Sequence, residues 1–130
     1  MNYLIATDSP DTSETLCAAV RPHLDATDTV FAVNSLHGGD RTPDETVQTG
    51  TAALERVEAE LGERVSVDTH QLIRKNDPAT DLFDFADEHG VDRLVIGVRK
   101  RNPTGKVVFG STAQDVILNT DRPVLAVPRT

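Results

Sequence analysis

"DRLVIGV", residues 92–98, is an apolar run with a single internal glycine. A strand with one wet face alternates polar and apolar side chains. A run without alternation suits a strand covered on both faces, as in a parallel sheet between two layers of helix. The rest of the chain alternates as such a sheet requires. "YLIAT" (3–7) is a short apolar run ending at Asp8, and "TVFAVNSL" (29–36) is a second strand. "RVSVDTHQLI" (64–73) is a third, with polar residues alternating, and "RPVLAVP" (122–128) is a fifth, which makes 92–98 the fourth. Helical patterns lie between them. Asp11 is the expected N-cap of the first, with Glu14 three residues on as in a capping box. Leu16, Ala19, Val20 and Leu24 have helical spacing, and Pro22 is expected to kink or end the helix. Residues 43–61 form a long amphipathic helix with a stripe of Val47, Leu54, Val57 and Leu61, and Gly62 suits its C′ position. Residues 79–90 carry Leu82, Phe83, Phe85 and Ala86 on a helix stopped by Gly90, and a last helix spans 111–119.

Parallel neighbours need crossover connections, and helices supply them. The prediction is one α/β domain over residues 1–130, a five-stranded parallel open sheet with helices on both faces.

The charge narrows the class of function. The chain has 130 residues and a formal net charge of −8. Such a surface stays soluble and repels nucleic acid. No apolar run reaches membrane-spanning length, and "MNYLIATDS" lacks the basic start and cleavage site of a signal peptide. A cytoplasmic protein without membrane or nucleic-acid partners is expected. Cys17 is the single cysteine, so no disulfide framework exists, and its apolar helical setting makes it a small core residue. Asp outnumbers Glu 14 to 7 and Arg outnumbers Lys 10 to 3. That bias suggests a halophilic cytoplasm, where short Debye lengths mute self-repulsion.

Ligands of open parallel sheets bind beyond the carboxyl ends of the strands, where the strand order reverses. Thr7 and Asp8, Asn34 and Ser35, and the chain from Gly97 onward reach that edge. The stretch "GVRKRNPTGKVVFGST" (97–112) brings Arg99, Lys100, Arg101 and Lys106 into an acidic protein. Gly97 and Gly110 permit close approach and unusual φ. Gly110, Ser111 and Thr112 open the next helix, whose free N–H groups and dipole favour phosphate. Asp8 can accept bonds from ribose hydroxyls or hold a magnesium ion. The competing structural reading is that Asp8 and Ser111 cap helices while the cations pair with surface carboxylates. Gly105-Lys106 is followed by Val107 and lacks the spacing of a Walker A loop. His23, His37, His70 and His89 show no ligand spacing, and no catalytic triad can be assembled.

At this loop the sequence resembles the universal stress protein family, whose signature is Gly-x-x-Gly, nine residues, then Gly-Ser/Thr. Gly97 takes the first place, residues 101–109 form the spacer, and Gly110-Ser111 close it. "ATD" (6–8), "EHGVDRLVIG" (88–97) and "DRPVLAVP" (121–128) are similar to the family's first strand, its approach to the signature and its last strand. The resemblance implies a Rossmann-like, adenine nucleotide alpha hydrolase-like sheet binding ATP or another adenine nucleotide, with or without magnesium. It implies that Asp8 contacts ribose and that backbone near Ser35 meets the adenine edge, with Ala6 and Ile96 nearby. Gly97, Gly110, Ser111 and Thr112 would hold phosphates. It also implies a homodimer, paired through the last strand between Val124 and Val127.

Lys100 departs from the pattern by standing at the second glycine. Arg99, Lys100 and Arg101 can hold phosphate by side-chain charge where a glycine backbone is missing. Three readings follow. The first is a nucleotide-binding regulator of the stress response. The second is a dimeric module that has lost nucleotide through Lys100 and meets an unidentified protein partner. The third, an enzyme, lacks a nameable base or nucleophile; slow ATP hydrolysis is the most it would perform.

Overall fold

The computed structural model describes residues 1–37, 42–74, 77–99 and 110–129. Its strands are β1 (Asn2–Ala6), β2 (Thr29–His37), β3 (Ser66–Arg74), β4 (Arg93–Arg99) and β5 (Val124–Arg129). Its helices are α1 (Pro10–Val20), α2 (Asp44–Leu61), α3 (Pro78–His89) and α4 (Ser111–Asn119). All strand pairs are parallel, in the order β3-β2-β1-β4-β5. The expected α/β sheet is therefore present.

The absence of alternation in "DRLVIGV" has the cause inferred for it. Successive residues of a strand point to opposite faces, and here both faces are covered. Val95 packs with Ile5, Val30 and Ala32 against Leu16, Val20, Leu54 and Val57 of α1 and α2. Leu94 and Ile96 pack with Leu4, Phe31 and Val33 against Leu82, Phe85, Ala113 and Val116 of α3 and α4. Among the described residues no helix is long and apolar enough to cross a membrane.

Local expectations differ at three places. The N-cap of α1 is Ser9, not Asp11: Ser9 is extended at φ −155° and its Oγ accepts from Thr12 N at 3.2 Å. Pro10 follows at the first helical position, where its missing N–H costs nothing, and Asp11 falls in the first turn. Gly62 is not a left-handed C′ residue, with φ −62°. The chain keeps turning right-handed there, because both Arg64 N and Val65 N donate to Leu61 O. The left-handed stop belongs to Gly90, φ 62°, after α3. Finally, β2 and β4 run on to His37 and Arg99, each held by a neighbour that continues beside it, through His37↔Arg74 and Arg99↔Arg129. Pro22 lies in a short 3-10 turn, Arg21–His23, that ends α1 as expected.

One buried polar chain ties the sheet to α2. Asn34 is 1% exposed. Its Nδ2 donates to Thr7 O at 2.9 Å, while its Oδ1 accepts from Gln71 Nε2 at 3.1 Å. Gln71 Nε2 also donates to Val47 O at 3.0 Å. Gly50 leaves room for this chain, since a Cβ there would lie 2.7 Å from Asn34 Cγ and 2.7 Å from Gln71 Nε2. Gly50→Ala is therefore predicted to lower stability by about 2 kcal/mol through overpacking, despite alanine's better helix propensity. Urea denaturation of the two proteins checks it, and an equal or higher midpoint for the variant contradicts it.

Candidate functional site

The order β3-β2-β1-β4-β5 places the reversal between β1 and β4. These strands pair only from Tyr3↔Arg93 to Ile5↔Val95. Beyond that point β1 stays with β2, with Thr7 N donating to Val33 O at 3.0 Å, while β4 stays with β5 as far as Arg99. The strands part, and a cleft of about 330 Å³ opens above Ala6 and Ile96.

Every candidate residue within the described chain borders this one cleft. Ala6, Thr7 and Asp8 come from the end of β1, Ser35 from β2, and Ile96, Gly97 and Arg99 from β4. Gly110, Ser111 and Thr112 come from the start of α4. Lys100, together with Arg101 and Lys106, lies outside the described residues. The floor and back wall are apolar, made of Ala6, Val33, Leu82, Ile96 and Val116; the rim is polar.

The first rim segment is held rigidly. Thr7 is 5% exposed, and its backbone is bonded at both ends, N to Val33 O and O from Asn34 Nδ2. Its Oγ1 lies 2.7 Å from Ser13 Oγ, which reaches Ala53 O at 2.7 Å. Asp8 follows this clamp directly, with its side chain 66% exposed. The capping alternative fails for Asp8, because Ser9 caps α1. It fails for Ser111 too, because Gly110 is the N-cap of α4 and contributes no side-chain bond. Among the described residues the N-cap of α4 brings no side-chain acceptor to its first amides, and the positive end of the helix dipole lies at the cleft.

The glycines act through space, not through special torsions. The expected unusual φ is absent: Gly110 has φ −66°, and Gly90 is the positive-φ glycine among the described residues. Gly97 lies inside β4, opposite Val127, where extended backbone is normal. What Gly97 permits is close approach by Arg129, whose Cδ would lie 2.7 Å from a Cβ placed there. A Cβ at Gly110 would meet nothing within 4 Å. Ser35 donates through Oγ to Asp81 Oδ2 at 3.3 Å, linking the β2 rim to a fully buried carboxyl of α3.

Arg129 escaped the sequence reading. Its Nη1 lies 3.4 and 3.5 Å from the two Asp8 oxygens and 3.2 Å from Thr12 Oγ1. Together with Arg99 and Thr12 it divides the cleft from a more open groove that includes Asp11 and Glu14. The signal was available: a parallel strand beside β4 must end at the same edge, and "VLAVPR" (124–129) ends there in a cation.

Among the described residues no cluster of three or more His, Cys, Asp and Glu side chains could hold a metal. Asp8 alone would offer magnesium one carboxylate, so phosphate and water would complete its shell. Cys17 is buried, and burial pushes its thiol up to about 12, which removes it as a nucleophile.

The universal stress protein family model matches residues 1–128. A universal stress protein of Archaeoglobus fulgidus is 35% identical, with TM-score 0.81 and 98% of both chains covered. A second A. fulgidus structure, a universal stress protein in complex with dAMP, is 30% identical with TM-score 0.72, covering 98% of this chain and 97% of that one. A universal stress protein of Mycolicibacterium smegmatis is 45% identical over 51 residues, 39% of this chain; the match spans 39% of that relative's length.

The capping geometry yields a contrast between adjacent residues. Ser9→Ala is predicted to cost about 1 kcal/mol by removing the N-cap. Asp8→Ala breaks only a long, exposed ion pair of the kind contributing about 0–1 kcal/mol, and its midpoint is expected to stay near that of the parent. Denaturation curves of both variants check this; a larger loss at Asp8 would mean that its role is structural.

Proposed function

The chain belongs to the universal stress protein family, and we propose that its cleft binds an adenine nucleotide, making it a nucleotide-responsive regulator of the stress response. The observation that carries this reading is the meeting in one cleft of an apolar floor, the exposed Asp8 carboxylate, which caps no helix and makes only a long ion pair with Arg129, and a helix start whose glycine N-cap offers no side-chain bond. Its volume lies at the lower end of small-molecule sites, which run from about 300 Å³ upward. The A. fulgidus relative solved with dAMP supports the ligand class.

In this reading adenine lies on Ala6, Val33 and Ile96, with backbone near Ser35 at its polar edge. Asp8 accepts from ribose hydroxyls. Gly97, the α4 amides from Gly110 and the hydroxyls of Ser111 and Thr112 take phosphate, with Arg99 adding charge. The donor set fits a phosphate, and the open space at Gly110 gives it access to the backbone. ATP with magnesium is the extended form of the same ligand, Asp8 then sharing the ion with phosphate oxygens. The acid-rich, arginine-favouring composition supports a cytoplasmic, salt-rich setting, and assays belong in molar KCl as well as dilute buffer.

Calorimetry with AMP and with ATP plus magnesium tests the reading. Saturable heat below millimolar ligand is expected, with Gly110→Ala weakening binding about tenfold, or ~1.4 kcal/mol, while the protein stays folded with a midpoint lowered only by the loss of a glycine N-cap. No heat at millimolar ligand from folded protein would favour the second reading, motivated by Lys100, of a module without nucleotide.

We also propose a homodimer joined at β5. That strand is at the sheet's edge; Ala126 within it is exposed, and Leu118 on α4 is 71% exposed. Sedimentation equilibrium should return twice the 14.1 kDa chain mass. A monomer at micromolar concentration overturns the pairing.

A further inference from the structure

Arg129 stands in the cleft in an incompletely satisfied arrangement. All its contacts to Asp8 and Thr12 run through Nη1, at 3.2 to 3.5 Å. Good charge-assisted bonds of this type are shorter, about 2.7–2.9 Å. Asp8 is 66% and Arg129 29% exposed at the side chain, so water screens what attraction remains. Nε is buried and has no hydrogen-bond partner among the described residues. A buried donor without an acceptor carries a desolvation penalty. The arginine is therefore held in place by packing across Gly97 more than by its ion pair.

Asp8 and Arg129 also hold opposite preferences for a nucleoside and a nucleotide. Ribose hydroxyls need the Asp8 carboxylate free to accept. Taking it strips Arg129 of its anion and leaves a guanidinium with an unsatisfied Nε beside the ligand. A 5′-phosphate corrects this, because its oxygens match a guanidinium fork and carry the compensating charge. The nucleoside has no group that can. Gly97, Gly110 and Ser111, which the reading above gives to phosphate, border the same cleft as Arg129.

We propose that Arg129 is the specificity-determining residue of this cleft: it exchanges Asp8 for the ligand's phosphate, so the site takes phosphorylated adenosine and discriminates against adenosine. This rests on the nucleotide-binding reading above. The exchange is favourable because a weak, exposed pair is given up for a short charge-assisted contact with phosphate.

The test is a pair of titrations, adenosine and AMP, on the parent protein and on Arg129→Gln and Arg129→Lys, with thermal melts run alongside. The parent should prefer AMP strongly. In Arg129→Gln the AMP-to-adenosine preference should fall at least tenfold, with adenosine binding unchanged or tighter because Asp8 is released. Arg129→Lys keeps the charge without the planar fork and should fall between them. A merely structural arginine would weaken both ligands alike and leave the preference intact, which overturns the proposal, as does an unchanged preference in both variants. If Arg129→Gln does not fold, an undiminished preference in the lysine variant overturns it. A parent protein that binds neither ligand removes the nucleotide reading itself, whereas a parent that binds AMP with a preference insensitive to Arg129 removes only this inference.

Discussion

The separation of β1 from β4 beyond the Ile5↔Val95 pair is the constraint on which the site depends. In an open parallel sheet such a crevice opens where the strand order reverses and the connections leave in opposite directions. β1 remains zipped to β2 through Ala6↔Val33, and β4 to β5 through Arg99↔Arg129. The gap between them cannot close without breaking one of those ladders. It follows from the topology, and four strands and three helices contribute to its lining.

Within that gap the protein is stiff where it supports and spare where it offers chemistry. Thr7 is locked through its backbone and hydroxyl, and the lock extends through Asn34, Gln71 and Ser13 to the carbonyls of Val47 and Ala53 on α2. Buried polar groups of this kind must be fully bonded to be tolerated. The residues that follow outward, Asp8, Ser111 and Thr112, serve no such duty, since Ser9 and Gly110 occupy the cap positions. A carboxylate held only by a long, exposed ion pair with Arg129, and a helix start with a glycine cap, are what an outside ligand can recruit.

The fold was legible because both core layers write themselves into the apolar runs. Leu4 and Ile5, or Leu94 and Val95, are adjacent in the chain and buried on opposite faces, so the runs lack alternation and declare a sheet covered on both sides. The rim was legible where a residue sits at the tip of a strand, as Asp8 does, or at the start of a helix, as Ser111 does. Arg129 was missed because its part in the site depends on β4 and β5 ending together, a matter of register that composition does not carry. The cap at Ser9 was missed because Asp11 and Glu14 have capping-box spacing, while Pro10 moves the helix start two residues earlier. Of the two uses read for Gly97, close approach holds, through Arg129, and unusual torsion does not; choosing between them needs the neighbouring side chain in view.

Backbone amide shifts during an AMP titration test the central claim most directly, since they report where a ligand lies and not only that heat is released. The account predicts saturable shifts at Thr7, Asp8, Gly97, Gly110 and Ser111, on both sides of the gap between β1 and β4. Shifts confined to other surfaces, or none at ligand concentrations in the millimolar range, would contradict it.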